Sequence, residues 1–442
     1  MQKVVNKLAG TALTLYILVF SFITYFSMYG LRKPFSATTY ANIDGWTSDI
    51  DLKVLLVVSQ VLGYTISKFI GIKVITELNR QYRLQAIIAL VTIALAALLL
   101  LPLVPLKYKF IALFINGLPL GMIWGIVISF VEGRKTSEFL GAALTVSFIV
   151  ASGFVKSVGS YLIQELSVPE FWMPFYTGLL FYPLLIISAY MLSMSPPPTK
   201  EDEALRVHRD TMSGKMKRTF FKKWQLGLIC LIIVQILLTA LRDIRGNYEA
   251  EIWQELGFGD QPEIFATLGL KVGLFLAVIL SCFSMIKNNR SAFIGYHWLI
   301  MTGCLLMVVV TLGFHLHAID PQTWMLLLTI GLFTAYVPFS SVLFDRMVAA
   351  TGSIGTATFG IYLCDAFGYL GSVVLTFIRY LGDIRLSWVE FLQQMVMLLS
   401  IGSVGLMLVS AIFFARKLPK FDKQAFAVKP LSSSNTGKRL AG

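Results

Sequence analysis

Twelve times along this chain an apolar run of about 20 residues recurs between charges, prolines or loop-like stretches, and that recurrence fixes the solvent the chain folds in. A run of this length crosses the hydrocarbon core of a bilayer as a helix, because in lipid each backbone N–H and C=O must find its partner within the segment. The expected spans are 11 to 36, 54 to 76, 84 to 106, 109 to 131, 139 to 164 and 171 to 194, then 225 to 248, 262 to 286, 292 to 314, 322 to 344, 353 to 379 and 389 to 415. The fold class is therefore an all-α membrane protein of twelve transmembrane helices in two six-helix bundles.

Composition agrees, with 56% hydrophobic and 14% charged residues and a mean hydropathy of +0.74, outside the soluble range. The formal net charge of +13 is spread through short loops. It reads as a topology signal and gives no nucleic-acid footprint. The four cysteines lie within apolar runs without close spacing, so neither a disulfide framework nor a zinc site is expected, and no cofactor is implied. The first run is too long for a signal-peptide core and should remain as a helix.

Cations gather on one side: Lys3 and Lys7, Arg80 and Arg83, Arg134 and Lys135, Lys287 and Arg290, Arg346, then Arg416, Lys417 and Lys420. That side is expected to be cytoplasmic in a cell inner membrane, with both termini there. The opposite loops are acidic or mixed, and Glu249, Glu251, Glu255, Asp260 and Glu263 count among them. The expected units are a six-helix bundle over 1–194, a cytoplasmic linker over 195–223, a second bundle over 224–420 and a disordered tail over 421–442. The linker's basic part, Lys215 to Lys223, suits an anionic leaflet. Gly117, Gly121 and Gly125 form a four-residue repeat that predicts close helix approach.

Charges inside the spans point to a site. Arg32 lies near the end of the first span and Arg242 at a comparable place in the seventh, each followed by a helix disturbance, Pro34 or Gly246. A charge in such a span costs on the order of 3 kcal/mol and calls for a partner, a wet cavity or an anionic ligand. Singly, either arginine could snorkel to the interface; matched across two halves they suit a shared site. Planar guanidinium forks can give two hydrogen bonds each to a phosphate or phosphonate head. Lys68, Lys156 and Lys271 add intramembrane cations, while Asp243, Glu263 and Asp365 are the candidate counter-ions. Tyr25 and Tyr29 share a helix face with Arg32 and can donate phenolic hydrogen bonds to the same anion.

Four segments resemble the organophosphate:phosphate antiporter branch of the major facilitator superfamily. Tyr29 to Phe35, reading YGLRKPF, resembles that branch's Tyr-x-x-Arg-Lys motif, and Gly63-Tyr64 with Ser67-Lys68-Phe69 its second-helix segment. Leu241-Arg242 falls where the branch keeps its second arginine, and Gly355-Thr356-Ala357 with Phe367 to Val373 is similar to its eleventh-helix pattern. The resemblance implies the superfamily fold and a phosphate-like anion bound by Arg32 and Arg242. Lys156 stands where the branch has a histidine, and Asp243, Arg245 and Asp365 lack a counterpart.

The expected activity is secondary transport, by alternating access, of a small organic phosphate or phosphonate, through exchange with inorganic phosphate or ion coupling, by a monomer in the lipid bilayer. The expected site comprises Arg32, Arg242, Lys68, Lys156, Tyr25, Tyr29, Asp365, Asp243, Arg245 and Lys271. The alternative is a membrane sensor for the same anion that signals through the central loop. Export of a lipophilic cation fits poorly with five intramembrane cations, and an enzyme is not expected because no nucleophile–base pair, metal set or phosphate loop appears.

Overall fold

A computed structural model describes residues 5, 8, 10–41, 43–48, 50–131, 134, 136–198, 214–286, 288–351, 357–381 and 386–418, and among these residues the only regular structure is helical. The first half holds α1 (Gly10–Arg32), α2 (Leu52–Glu77), α3 (Arg83–Leu103), α4 (Lys109–Val131), α5 (Ser137–Gln164) and α6 (Met173–Ser193). The second holds α7 (Gly214–Asn247), the short α8 (Glu249–Glu255), α9 (Ile264–Ser284), α10 (Asn289–His315), α11 (Pro321–Ser341), α12 (Leu343–Thr351), α13 (Ala357–Leu381) and α14 (Trp388–Lys417). Among the described residues eleven helices are long and apolar enough to cross a membrane, and α13 adds the shorter apolar stretch Phe367–Arg379. This is a multi-pass membrane protein.

Local chemistry sets the helix ends. The first helix stops at Arg32, short of the expected 36, because Pro34 lacks an N–H and the chain tightens into a 3-10 turn over Pro34–Ala37. The α11 start is capped by Asp320, which accepts from the Thr323 N–H, with Pro321 in the first turn. A capping box of Ser387 and Glu390 opens α14. Two further limits differ from expectation. The seventh helix begins at Gly214, not 225, since its basic segment stays helical and meets the apolar part at a kink on Trp224. The tenth span ends at Ser341, where the backbone breaks at Val342 before α12.

Within the first half α2 lies along α4 and α1 along α6; in the second, α10 lies along α11, and α7 along α13 and α14. Gly63, Gly117 and Gly121 make the α2–α4 seam: a Cβ on Gly117 would strike the Gln60 carbonyl oxygen. The halves meet chiefly through α5 with α9 and α2 with α13. At the first of these contacts Gly153 lies against the Phe265 carbonyl and Gly269, leaving no room for a side chain. The end of the bundle where α1 starts and α14 finishes is called the near end below, and the opposite one the far end. Linker residues 199–213, the tail beyond 418 and the Asp365 side chain lie outside the described residues.

Candidate functional site

The break after Arg32 leaves the last carbonyls of α1 without helical partners, and a buried amide pair takes them up. Gln60 donates through Nε2 to the Arg32 carbonyl at 3.0 Å and to Asn116 Oδ1 at 2.8 Å, while Asn116 Nδ2 donates to the Leu31 carbonyl at 3.2 Å. Thus anchored, the Arg32 guanidinium stacks over the Tyr64 ring at 3.9 Å, and its Nη2 lies 3.4 Å from the Tyr369 hydroxyl. The Tyr64 backbone lies against Gly121 in the α2–α4 seam.

Arg242, on α7, reaches the same tyrosine from the other half. Its Nε and Nη2 donate to Asp243 Oδ1 at 3.1 and 2.8 Å, and its Nη1 donates to the Tyr336 hydroxyl. Its guanidinium carbon stands 5.2 Å from the Tyr369 ring centre, against 5.8 Å for that of Arg32. Two guanidiniums from opposite halves therefore converge on one ring.

Beside them lies a cavity of about 50 Å³ whose charged lining residues are Arg32, Lys33, Arg242, Arg245, Asp243 and Glu249. Four cations face two carboxylates, so the lining carries two positive charges in excess. Asp243 Oδ2 is buried without a hydrogen-bond partner. The aromatic row of Tyr29, Phe148 and Phe333 lines the same space, with ring centres 6.3 and 6.1 Å apart in sequence.

The far end is tied across the halves by charge. Lys156, fully buried on α5, donates to Glu249 Oε2 and to the Gly246 carbonyl, both at 2.5 Å. The second oxygen of Glu249 accepts from Arg245 at 2.6 Å, four residues back. Lys33 Nζ donates to Asn247 Oδ1 at 2.6 Å, and Lys53 Nζ, also fully buried, to Glu251 Oε2 at 2.6 Å. Every one of these cations except Arg245 comes from the first half, and every acceptor from the second.

These ties correct the charge count drawn from sequence. Glu249 and Glu251 do not sit in an exposed loop; both are buried in α8 and offset the cations that looked unneutralised. Lys156 faces the site through Glu249 rather than lining it, and Lys68 stands 5.4 Å from the centre of the Tyr64 ring, outside the lining. Tyr25 is held edge-on between Tyr29 and Trp124, at 5.6 and 4.7 Å. Lys271 is exposed in a separate recess with Glu263 and Gln322, away from the arginines. Lys33, Lys53, Asn247, Glu249, Glu251 and Tyr336 were not among the expected site residues; the sequence signals for them are the Arg-Lys step of the Tyr29 to Phe35 motif and the four-residue spacing of Arg245 and Glu249.

Burial pushes the Glu251 carboxyl up to about 7, against the pull of the Lys53 ammonium, while Asp51 adds a smaller push upward. A carboxyl with a higher pKa when enclosed than when exposed binds its proton more tightly in the closed form. Lowering pH from 7 toward the ordinary 4.5 should therefore favour a closed far end, and raising it through 7 should remove that advantage. Labelling of a cysteine placed on α8 is expected to slow as pH falls over this window and to lose its pH dependence in Glu251→Gln. An unchanged pH profile in that variant would rule out Glu251 as the titrating group.

Solved structures with this arrangement of helices include a D-xylose–proton symporter, with a TM-score of 0.61, 13% identity and coverage of 88% of this chain and 96% of that one. A mutant of the nucleoside transporter NupG gives 0.59 at 15% identity, over 91% of this chain and 100% of that one. A mutant of the peptide transporter POT in complex with sulfate gives 0.59 at 12%, over 90% and 95%. The fold is that of the major facilitator superfamily. The chain belongs to the family described as a family of unknown function (DUF5690), matched over residues 34–417. No curated protein matches the chain.

Proposed function

We propose that the protein is a secondary transporter of alternating-access type for a small organic phosphate or phosphonate, which it exchanges for inorganic phosphate. The convergence of Arg32 and Arg242 on Tyr369 from opposite halves, beside a cavity with two positive charges in excess, supports this. A doubly charged tetrahedral head offers each planar fork a pair of oxygens. The halves, residues 1–194 and 224–420, rock about this point as a monomer in the inner membrane, with the near end and both termini cytoplasmic. The Lys156–Glu249 pair and the Lys33–Asn247 contact hold the form described above, and an anion shared by the two arginines supplies the attraction that lets the halves pass through the occluded state.

Exchange follows from the charge balance, since an empty site with excess positive charge resists enclosure in lipid. The test is uptake of labelled phosphate into vesicles of purified protein preloaded with phosphate, phosphate esters or phosphonates. Uptake that requires an internal anion is the expected result. Anion binding without flux would replace transport by sensing, and absence of binding would overturn the anion site.

Asp243 is an internal competitor, because it occupies two donors of Arg242. Asp243→Asn should loosen their hold and tighten phosphate binding about ten- to a hundredfold, one charge-assisted hydrogen bond being worth about 1.5–3 kcal/mol. Calorimetric titration with phosphate measures this, and weaker binding in the variant would show that Asp243 orients Arg242 instead of competing.

A further inference from the structure

The geometry points to an amphiphilic substrate: a phosphate monoester whose alkyl or acyl chain lies in a second, apolar cavity between the halves. This rests on the anion reading above and adds what the anion is attached to. The second cavity, of about 310 Å³, is formed chiefly by α1, α5 and α9 nearer the near end, with Tyr296 of α10 and Val342 closing it, and none of its lining residues is charged.

The two cavities share three helix stripes. On α1, Leu18 and Phe22 line the apolar cavity and Tyr29 the charged one, at i, i+4 and i+11. On α5, Ala142 and Val146 line the first, Ile149 and Gly153 the second, at i, i+4, i+7 and i+11. On α9, Gly269 belongs to the charged cavity and Ala277 and Leu280 to the apolar one. Residues so spaced lie on one face of a helix, so on each helix the two cavities open on the same face.

The reason there is space is local. Glycines hold α5 and α9 in backbone contact at Gly153 and Gly269, and Gly273 still lies against Val150; beyond Val146 no glycine draws the helices together and the cavity opens. Phe148 marks the join on α5, two residues from Val146 and one from Ile149. Its ring contacts Tyr29 and Phe333, one in each half. Phe22 and Arg32 are ten residues apart on α1, about 15 Å along the axis. At ~1.2 Å per bond, that is the reach of a chain of roughly twelve carbons. At the mouth, Val19 and Phe139 are 45% and 52% exposed, so a longer chain could continue into the lipid.

The experiment is displacement of labelled phosphate from the full-length protein in lipid nanodiscs by ethyl, octyl, dodecyl and hexadecyl phosphate. Affinity should rise about fourfold for each methylene that enters the cavity, giving at least a hundredfold gain from octyl to hexadecyl. Val146→Trp, and Ala277→Phe on the opposite wall, should erase that gain and leave ethyl phosphate within twofold of wild type. Unchanged ethyl phosphate binding also reports that each variant is folded, and two walls are tested in case one substitution is not tolerated. Equal affinity across the series, with ethyl phosphate bound, would overturn the tail site and spare the anion site. A chain-length gain that both variants retain would assign it to partition into the bilayer and likewise overturn the proposal. Failure of phosphate itself to bind would remove the anion reading and this inference together.

Discussion

Arg242→Lys is expected to lower phosphate affinity at least tenfold and to abolish exchange, although the charge is kept. Arg242 divides its donors between Asp243, through Nε and Nη2, and Tyr336, through Nη1, while its flat face stands near Tyr369. Nothing on a lysine reproduces that division. Its ammonium is one compact charge with no plane to lie against the rings, and it cannot hold Asp243 and Tyr336 in place while meeting two oxygens of an anion. Losing one charge-assisted bond of about 1.5–3 kcal/mol sets the tenfold floor. Arg32→Lys should behave alike, since it forfeits the face-on stack at 3.9 Å over Tyr64. Counterflow in phosphate-loaded vesicles, alongside calorimetric binding, measures both effects. Exchange at the wild-type rate in either variant would exclude the paired-fork clamp and leave a simple charge requirement.

Sequence carried the fold well because lipid demands long, internally satisfied segments, and a repeated run of some 20 apolar residues suits little besides a membrane span. The extension of α7 back to Gly214 was hidden, because hydropathy falls through the Lys-rich segment whereas helix propensity does not. For the candidate site, matched position in two halves pointed to Arg32 and Arg242, which the fold brings to one tyrosine. Hydropathy reports how deep a residue lies but not which way it faces. Lys271 shows the difference: two residues from both Gly269 and Gly273, whose faces meet α5, it is turned to the opposite side of α9 and is exposed. Glu249 and Glu251 were hidden for the converse reason. They follow the end of an apolar run and look like loop charges, yet their partners are 93 and 198 residues away in sequence. Spacing alone does not find a contact between halves. Once found, it changes the electrostatics: the buried cations are partly neutralised where the halves join, and the excess in the cavity lining lies at Arg32 and Lys33, beside the Arg242–Asp243 pair.

Glu249→Gln should therefore be the most damaging single change in the protein. Glu249 is 2% exposed and accepts from two buried cations, Lys156 and Arg245, one through each oxygen. An amide keeps the shape but removes the charge, and its nitrogen turns a donor toward one of those cations. Breaking a buried ion pair from one side costs about 3–5 kcal/mol, because the abandoned charge stays enclosed. Thermal unfolding of the purified protein is expected to register a loss of that size. Lys156→Met combined with Glu249→Gln should recover a large part of it, since one abandoned cation is then gone and a flexible apolar chain fills its place. The same pair of variants separates folding from conformational coupling. If the Lys156–Glu249 pair ties the halves, the double variant regains stability but not the wild-type closure of the far end, and a cysteine on α8 stays accessible in it. Were the single variant as stable as wild type, the charges would be reached by water at the far end and the closed junction would not exist. Were the double variant both stable and closed, closure would rest on the Lys53–Glu251 pair and the Lys33–Asn247 contact instead.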